Sequence, residues 1–93
     1  MSSDNLPMTE IELRFFASVR EAVGKSQETY LSSAKTIAEL RNELVARGGG
    51  YAQALGQQRA VRAAINQTMV PNDAAFAPGQ RVEVAFFPPV TGG

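Results

Sequence analysis

The sequence predicts an α+β domain: a small mixed sheet, one long helix packed across it, and a short helix after the first strand. Three observations carry this. Glu10–Phe16 and Arg81–Phe87 alternate in polarity at period two, as half-buried strands do. Between them Ile37, Leu40, Leu44 and Val45 recur at helical spacing behind a capping signature. A length of 93 residues suits one domain, and 44% hydrophobic content is enough for a small core. A helix laid over a sheet buries the apolar side of both. The pattern leaves the strand order open.

Met1 to Pro7 is polar and ends in proline, so residues 1–8 are expected to form a disordered leader, with Met1 or Met8 as the start. In Glu10–Phe16, Ile11, Leu13 and Phe15 share the predicted core face. Phe16 falls on the opposite face with Glu10, Glu12 and Arg14. Ser18-Val19-Arg20-Glu21 fits a capping box, and Gly24 stops the short helix that follows. Gln27–Leu31 is a weak strand with a polar face, suited to a sheet edge.

Thr36-Ile37-Ala38-Glu39 is a second capping box, opening the long helix, and Gly48-Gly49-Gly50 ends it. This glycine run lacks the spacing of a phosphate-binding loop and follows a helix rather than a strand. Tyr51–Leu55 adds a short helical turn. Val61–Asn66 predicts a strand with Val61, Ala63 and Ile65 inward, turning at Asn66-Gln67 into a brief return strand, Thr68–Val70. Turns are expected at Pro71-Asn72-Asp73 and at Pro78-Gly79. In the last strand Val82, Val84 and Phe86 point inward. Arg81, Glu83, Ala85 and Phe87 point outward, which makes Phe87 a second exposed aromatic. Arg14, Arg20, Arg62 and Arg81 are expected to be solvated. The domain therefore spans 9–87.

Beyond Phe87 the chain changes character. Pro88 and Pro89 lack a backbone N–H and cannot extend a ladder. Val90-Thr91-Gly92-Gly93 follows, and residues 88–93 are expected to form a flexible tail. Its length is at most roughly 20 Å at about 3.3–3.6 Å per residue. Such an ending can be an ordinary frayed terminus. It can also thread a narrow channel and place a carboxylate deep in another protein.

Composition narrows the chemistry. Lys+Arg and Asp+Glu stand at 9 each, which gives no electrostatic reason to expect nucleic acid or an anionic membrane as partner. No apolar run approaches the roughly 20 residues of a membrane helix. Without a secretory signal either, the cytoplasm is the expected location. There are no histidines and no cysteines. The commonest transition-metal ligands, the thiolate nucleophile and the usual base near neutral pH are all missing. No metal site is expected, and the chain itself is expected to bind no cofactor. Any reactive group is then a chain terminus or comes from outside.

Val84-Ala85-Phe86-Phe87-Pro88-Pro89-Val90-Thr91-Gly92-Gly93 closely resembles the C-terminus of the small, sulfur-carrying subunits of molybdopterin synthase. Phe15–Gly24 and Ala64–Val70 resemble segments of the same family, and the likeness covers roughly residues 9–93. It implies a ubiquitin-like β-grasp fold with the first and last strands adjacent. It also implies a route of chemistry. An ionised carboxylate is a poor electrophile, and an α-carboxyl has a pKa of about 3.5. An E1-like activating enzyme uses ATP to adenylate Gly93, and a sulfur donor then leaves a thiocarboxylate there. The large, catalytic subunit takes the tail into its active site, where sulfur passes to a cyclic pyranopterin phosphate. The resemblance implies a sulfurtransferase only as a complex, a heterotetramer of two small and two large subunits. The small subunit alone is expected to be inactive.

Gly92 allows close approach where a β-substituent would crowd the threaded backbone. Val90 and Thr91 are expected to fill shallow pockets that set insertion depth, and Pro88 and Pro89, extended ahead of them, are expected to bind the partner as well. In the resembled family, hydrophobic residues at the positions of Phe16, Met69 and Phe87 face the large subunit. Two other functions share a Gly-Gly end: a sulfur carrier for thiazole synthesis or tRNA thiolation, and a ubiquitin-like binding module or protein modifier without sulfur chemistry. The Phe-Phe-Pro-Pro-Val-Thr-Gly-Gly ending and the helix after strand one favour the molybdopterin carrier.

Overall fold

The computed structural model describes residues 8–56, 59–76 and 81–89. The expected turn at Pro78-Gly79, the tail residues 90–93 and the leader up to residue 7 lie outside them. Among the described residues the chain forms β1 (Thr9–Phe15), α1 (Ala17–Val23), β2 (Gln27–Ser32), α2 (Ile37–Ala46), α3 (Gly49–Leu55), β3 (Arg62–Ile65), β4 (Thr68–Val70) and β5 (Arg81–Phe87). The sheet runs β2-β1-β5-β3-β4. β1 and β5 pair in parallel, and the other neighbours pair antiparallel. This is an α+β domain with a mixed sheet.

The parallel pair sets the core. Ile11, Leu13 and Phe15 stand opposite Val82, Val84 and Phe86, and all six are buried as expected. Ile37, Leu40 and Leu44 of α2 are fully buried in the same cluster, with Val45 packed at its margin. Ala63 is buried, while Val61 and Ile65 are half-buried against the cluster.

β2 is an edge strand, and its inward face is largely polar. Its satisfaction is a tertiary matter. The Tyr30 hydroxyl and the Ser32 hydroxyl both donate to Glu43 Oε1 of α2, at 3.0 and 2.7 Å. Glu28 accepts from the Tyr51 hydroxyl and pairs with Arg47, 2.9 Å from Nη1 to Oε2. The Arg47 guanidinium lies 4.3 Å from the Tyr51 ring centroid and 5.4 Å from that of Tyr30. Burial alone would raise the Glu28 pKa, but the hydrogen bonds from Tyr51 and Arg47 outweigh it and hold the carboxyl below its usual 4.5. A carboxyl depressed in the folded state contributes stability above its unfolded pKa and loses it as pH falls through the folded value. Acid melts are therefore expected to show stability declining below about pH 4.5, with a shallower slope in Glu28→Gln.

Of the two capping boxes the first needs correction and the second forms in a modified way. Ser18 does not cap α1. The helix starts at Ala17 with Phe16 as N-cap and no side-chain cap bond. The ladder explains this. Phe16 N–H still donates to Phe86 O at 3.2 Å, and the Phe16 carbonyl then accepts from both Val19 and Arg20. Ala17 makes the reversal in the left-handed region, at φ 52°. Gly24 ends α1 at φ 92°, as predicted. At α2, Thr36 Oγ1 accepts from Glu39 N–H at 3.1 Å. The reciprocal arm reaches one residue further upstream, where Glu39 Oε1 accepts from Lys35 N–H at 2.8 Å.

The triple glycine does more than end a helix. Gly48 links α2 to α3, and Gly49 and Gly50 begin α3. A Cβ on Gly50 would sit 2.1 Å from the Ala22 carbonyl oxygen of α1. The two helices meet there backbone to backbone, so no side chain can move aside. Gly50→Ala would otherwise gain about 1 kcal/mol in helix propensity. The clash reverses the sign, and a net loss of about 1–3 kcal/mol is expected, as for overpacking. A thermal melt should fall by roughly 4–8 °C per kcal/mol in a domain of this size.

Candidate functional site

β1 and β5 run parallel, so Phe16 and Phe87 leave the sheet at the same end, where the tail begins. Phe16 is 46% exposed, on the outer face as expected. Phe87 faces outward too, but it is half-buried rather than exposed, because β3 lies against it with Arg62 directly opposite. Met69 is 60% exposed on β4. It lies two strands from β5 and two residues back from Phe87, about 12 Å away at the usual strand spacing and rise.

Ala64 and Ala85 join these residues into one surface. Ala85 stands opposite Ala64, and Ala64 stands opposite Met69. Both alanines face outward and both are buried, because their side chains are short and sit in mid-sheet between taller neighbours. They form a low floor between Met69 and the two phenylalanines. Sequence reasoning missed this floor. The available signal was two small residues at outward strand positions otherwise held by charged or large side chains. It also missed Leu31, 60% exposed on the outer face of β2. A band of charge separates Leu31 from the patch: Arg81 lies 3.6 Å from Glu10 and 3.3 Å from Glu12. The Thr29 hydroxyl donates to Glu12, and this bond, with Arg81 next, lowers the Glu12 pKa. Arg14, Arg20, Arg62 and Arg81 are all exposed.

The root of the tail is half-buried at Pro88 and Pro89. On the helix side of the sheet, Pro88 helps line a cavity of about 270 Å³ with Ser18, Val19 and Ala22 of α1, Ala54 of α3, and Arg59, Ala60 and Val61 of the segment entering β3. Arg41 of α2 orders that segment: its guanidinium donates to the carbonyls of Leu55, Gly56 and Arg59 at 2.6, 2.9 and 2.8 Å. Val90, Thr91, Gly92 and Gly93, the residues expected to carry the chemistry, lie outside the described residues. Among the described residues no group of three or more acidic, histidine or cysteine side chains could hold a metal ion, and no helix is long and apolar enough to cross a membrane.

A helix-crossed mixed sheet with β1 and β5 parallel at its centre, and an apolar outer face at the root of a Gly-Gly tail, defines a ubiquitin-like protein of the β-grasp class. Residues 13–93 match the ThiS family, and the chain belongs to that family. It is 42% identical over 83 residues to the molybdopterin synthase sulfur carrier subunit of Escherichia coli (strain K12), covering 89% of this chain and 99% of that protein. Identity to the subunit of the same name from Haemophilus influenzae is 37%, with the same coverage. Among solved structures, the HVO 2177 protein of Haloferax volcanii superposes with a TM-score of 0.74 at 29% identity, covering 100% of this chain and 94% of that one. The complex of subunits 1 and 2 of the molybdopterin-converting factor from Helicobacter pylori 26695 gives 0.56 at 26% identity, covering 92% and 99%.

Proposed function

We propose that this chain is the sulfur carrier of molybdenum cofactor biosynthesis, acting as the small subunit of molybdopterin synthase. The observation that carries this is the near-full-length identity to sulfur carrier subunits, within a family match that runs to Gly93. The terminal carboxylate of Gly93 attacks the α-phosphate of ATP on an E1-like activating enzyme, and pyrophosphate leaves. A sulfur nucleophile then displaces AMP from the acyl-adenylate, leaving a thiocarboxylate. The large subunit takes the tail, and the sulfur passes to a cyclic pyranopterin phosphate. The chain supplies no base, thiol or metal ligand of the usual kinds, since it has no histidine and no cysteine. It supplies a carbonyl at a defined reach and a surface by which other proteins hold it. Phe16, Met69 and Phe87, on the alanine floor, form that surface, and Pro88 and Pro89 aim the tail from its edge.

Intact mass after incubation with an activating enzyme, ATP and a sulfur donor tests the reading. Exchange of one terminal oxygen for sulfur adds about 16 Da. Isopeptide adducts to other proteins, with no such gain, would overturn it in favour of a modifier. The small archaeal modifier protein 1 of Haloferax volcanii shares the fold at 24% identity, a level that speaks for the fold alone.

A further inference from the structure

The patch on the outer face accounts for partner binding, but it leaves the cavity on the helix side of the tail root without a role. We propose that this cavity is a resting site for the chain's own C-terminus, in which the last residues fold back and the Gly93 carboxylate pairs with Arg59.

The chain that continues beyond the described residues is short and begins at the site. Pro88 is itself part of the lining. From Pro89 the four residues to Gly93 reach at most roughly 14 Å at about 3.3–3.6 Å each. They end on two residues without side chains and a negative charge. A cavity of about 270 Å³ lies just below the roughly 300–1,000 Å³ of small-molecule sites. It is better matched to a slim peptide end. Its walls include Ala22, Ala54, Ala60 and Val61, with the Ser18 hydroxyl able to serve a tail amide or carbonyl.

Arg59 supplies the complementary charge and is the one charged residue among the described lining. Its position is built. Its carbonyl accepts from Arg41, and its Nε donates to the Gln53 carbonyl at 3.1 Å. Among the described residues neither terminal nitrogen of its guanidinium has a hydrogen-bond partner. A carboxylate can bridge such a fork by two parallel bonds. An exposed ion pair of this kind is weak, so docked and released tails coexist. That suits a tail which must leave its own domain to enter another, and docking lowers the fraction ready to do so.

The test compares the free full-length chain with a chain ending at Pro89 by methyl and amide NMR. Removing the last four residues is expected to shift the Ala22, Ala54 and Val61 signals. A peptide of sequence Val90–Gly93 with a free carboxylate, added to the shortened chain, should move them back, and its C-terminal amide should not. In the full-length chain Arg59→Gln should lower the heteronuclear NOE of Gly92 and Gly93. Superimposed spectra of the full-length and shortened chains would overturn the proposal. An equal response to the acid and amide peptides would overturn the pairing with Arg59.

Discussion

A chain that lacks Gly93, or that carries one residue after it, is expected to transfer no sulfur yet still to bind the large subunit. Two separate jobs lead to this expectation. On the proposed reading affinity comes from the folded body, where Phe16, Met69 and Phe87 surround the floor of Ala64 and Ala85. Chemistry needs the terminal carbonyl at one point in the activating enzyme and in the synthase. One residue moves an extended chain end by about 3.3–3.6 Å. Misplacement by as little as about 1 Å can cost roughly a hundred-fold in rate. An added residue also removes the free carboxylate from Gly93. Calorimetry against the large subunit and mass spectrometry of the thiocarboxylate should be run on the same variants. Normal transfer by a chain with an extra alanine would exclude the terminus as the sulfur-bearing group. Binding lost together with chemistry would move the affinity from the patch to the tail.

Phe16→Ala and Phe87→Ala are both expected to weaken binding to the large subunit, but to differ in what else they do. Burying one aromatic contributes about 1.5–3 kcal/mol. At about 1.4 kcal/mol per factor of ten, the affinity loss is roughly ten- to hundred-fold. Phe16 stands 46% exposed in the free domain, so its truncation should leave the melting temperature nearly unchanged. Phe87 is already half-buried beside β3, and its truncation should also cost stability, about 1 kcal/mol. Melts run alongside the binding assays separate the two effects. Unchanged affinity in Phe16→Ala would remove the patch from the interface.

The strands and the long helix were legible because their signals are local and periodic. Ile11, Leu13, Phe15, Val82, Val84 and Phe86 recur at every second position, most of them beside a charged residue, and each is buried. The stripe of Ile37, Leu40 and Leu44 is buried for the same reason at helical spacing. The Thr36 cap formed because its donor, Glu39 N–H, lies within one turn of chain. The Ser18 box was equally local, yet it failed. A long-range bond from Phe16 to Phe86 carried the strand one residue further and made Phe16 the N-cap. Local capping preference gave way to a sheet ladder that no short window contains.

The sequence by itself determined the strand faces, the long helix, the exposed Phe16 and the Gly-Gly end, since each is written in the spacing of neighbouring residues. Only the tertiary structure decided that Ala64 and Ala85 lie side by side under Met69, that Gly50 touches the backbone of α1, and that Arg41 fixes the segment carrying Arg59. Apart from the hairpin pair of Ala64 with Met69, these relations join residues far apart in the chain: Arg41 with Arg59, Ala64 with Ala85, Gly50 with Ala22, and, furthest of all, β1 with β5 in their parallel pairing. Periodicity reports which way a side chain points from its own element. It carries no record of which element packs opposite, because that follows from the pairing of strands whose partners lie at the two ends of the chain.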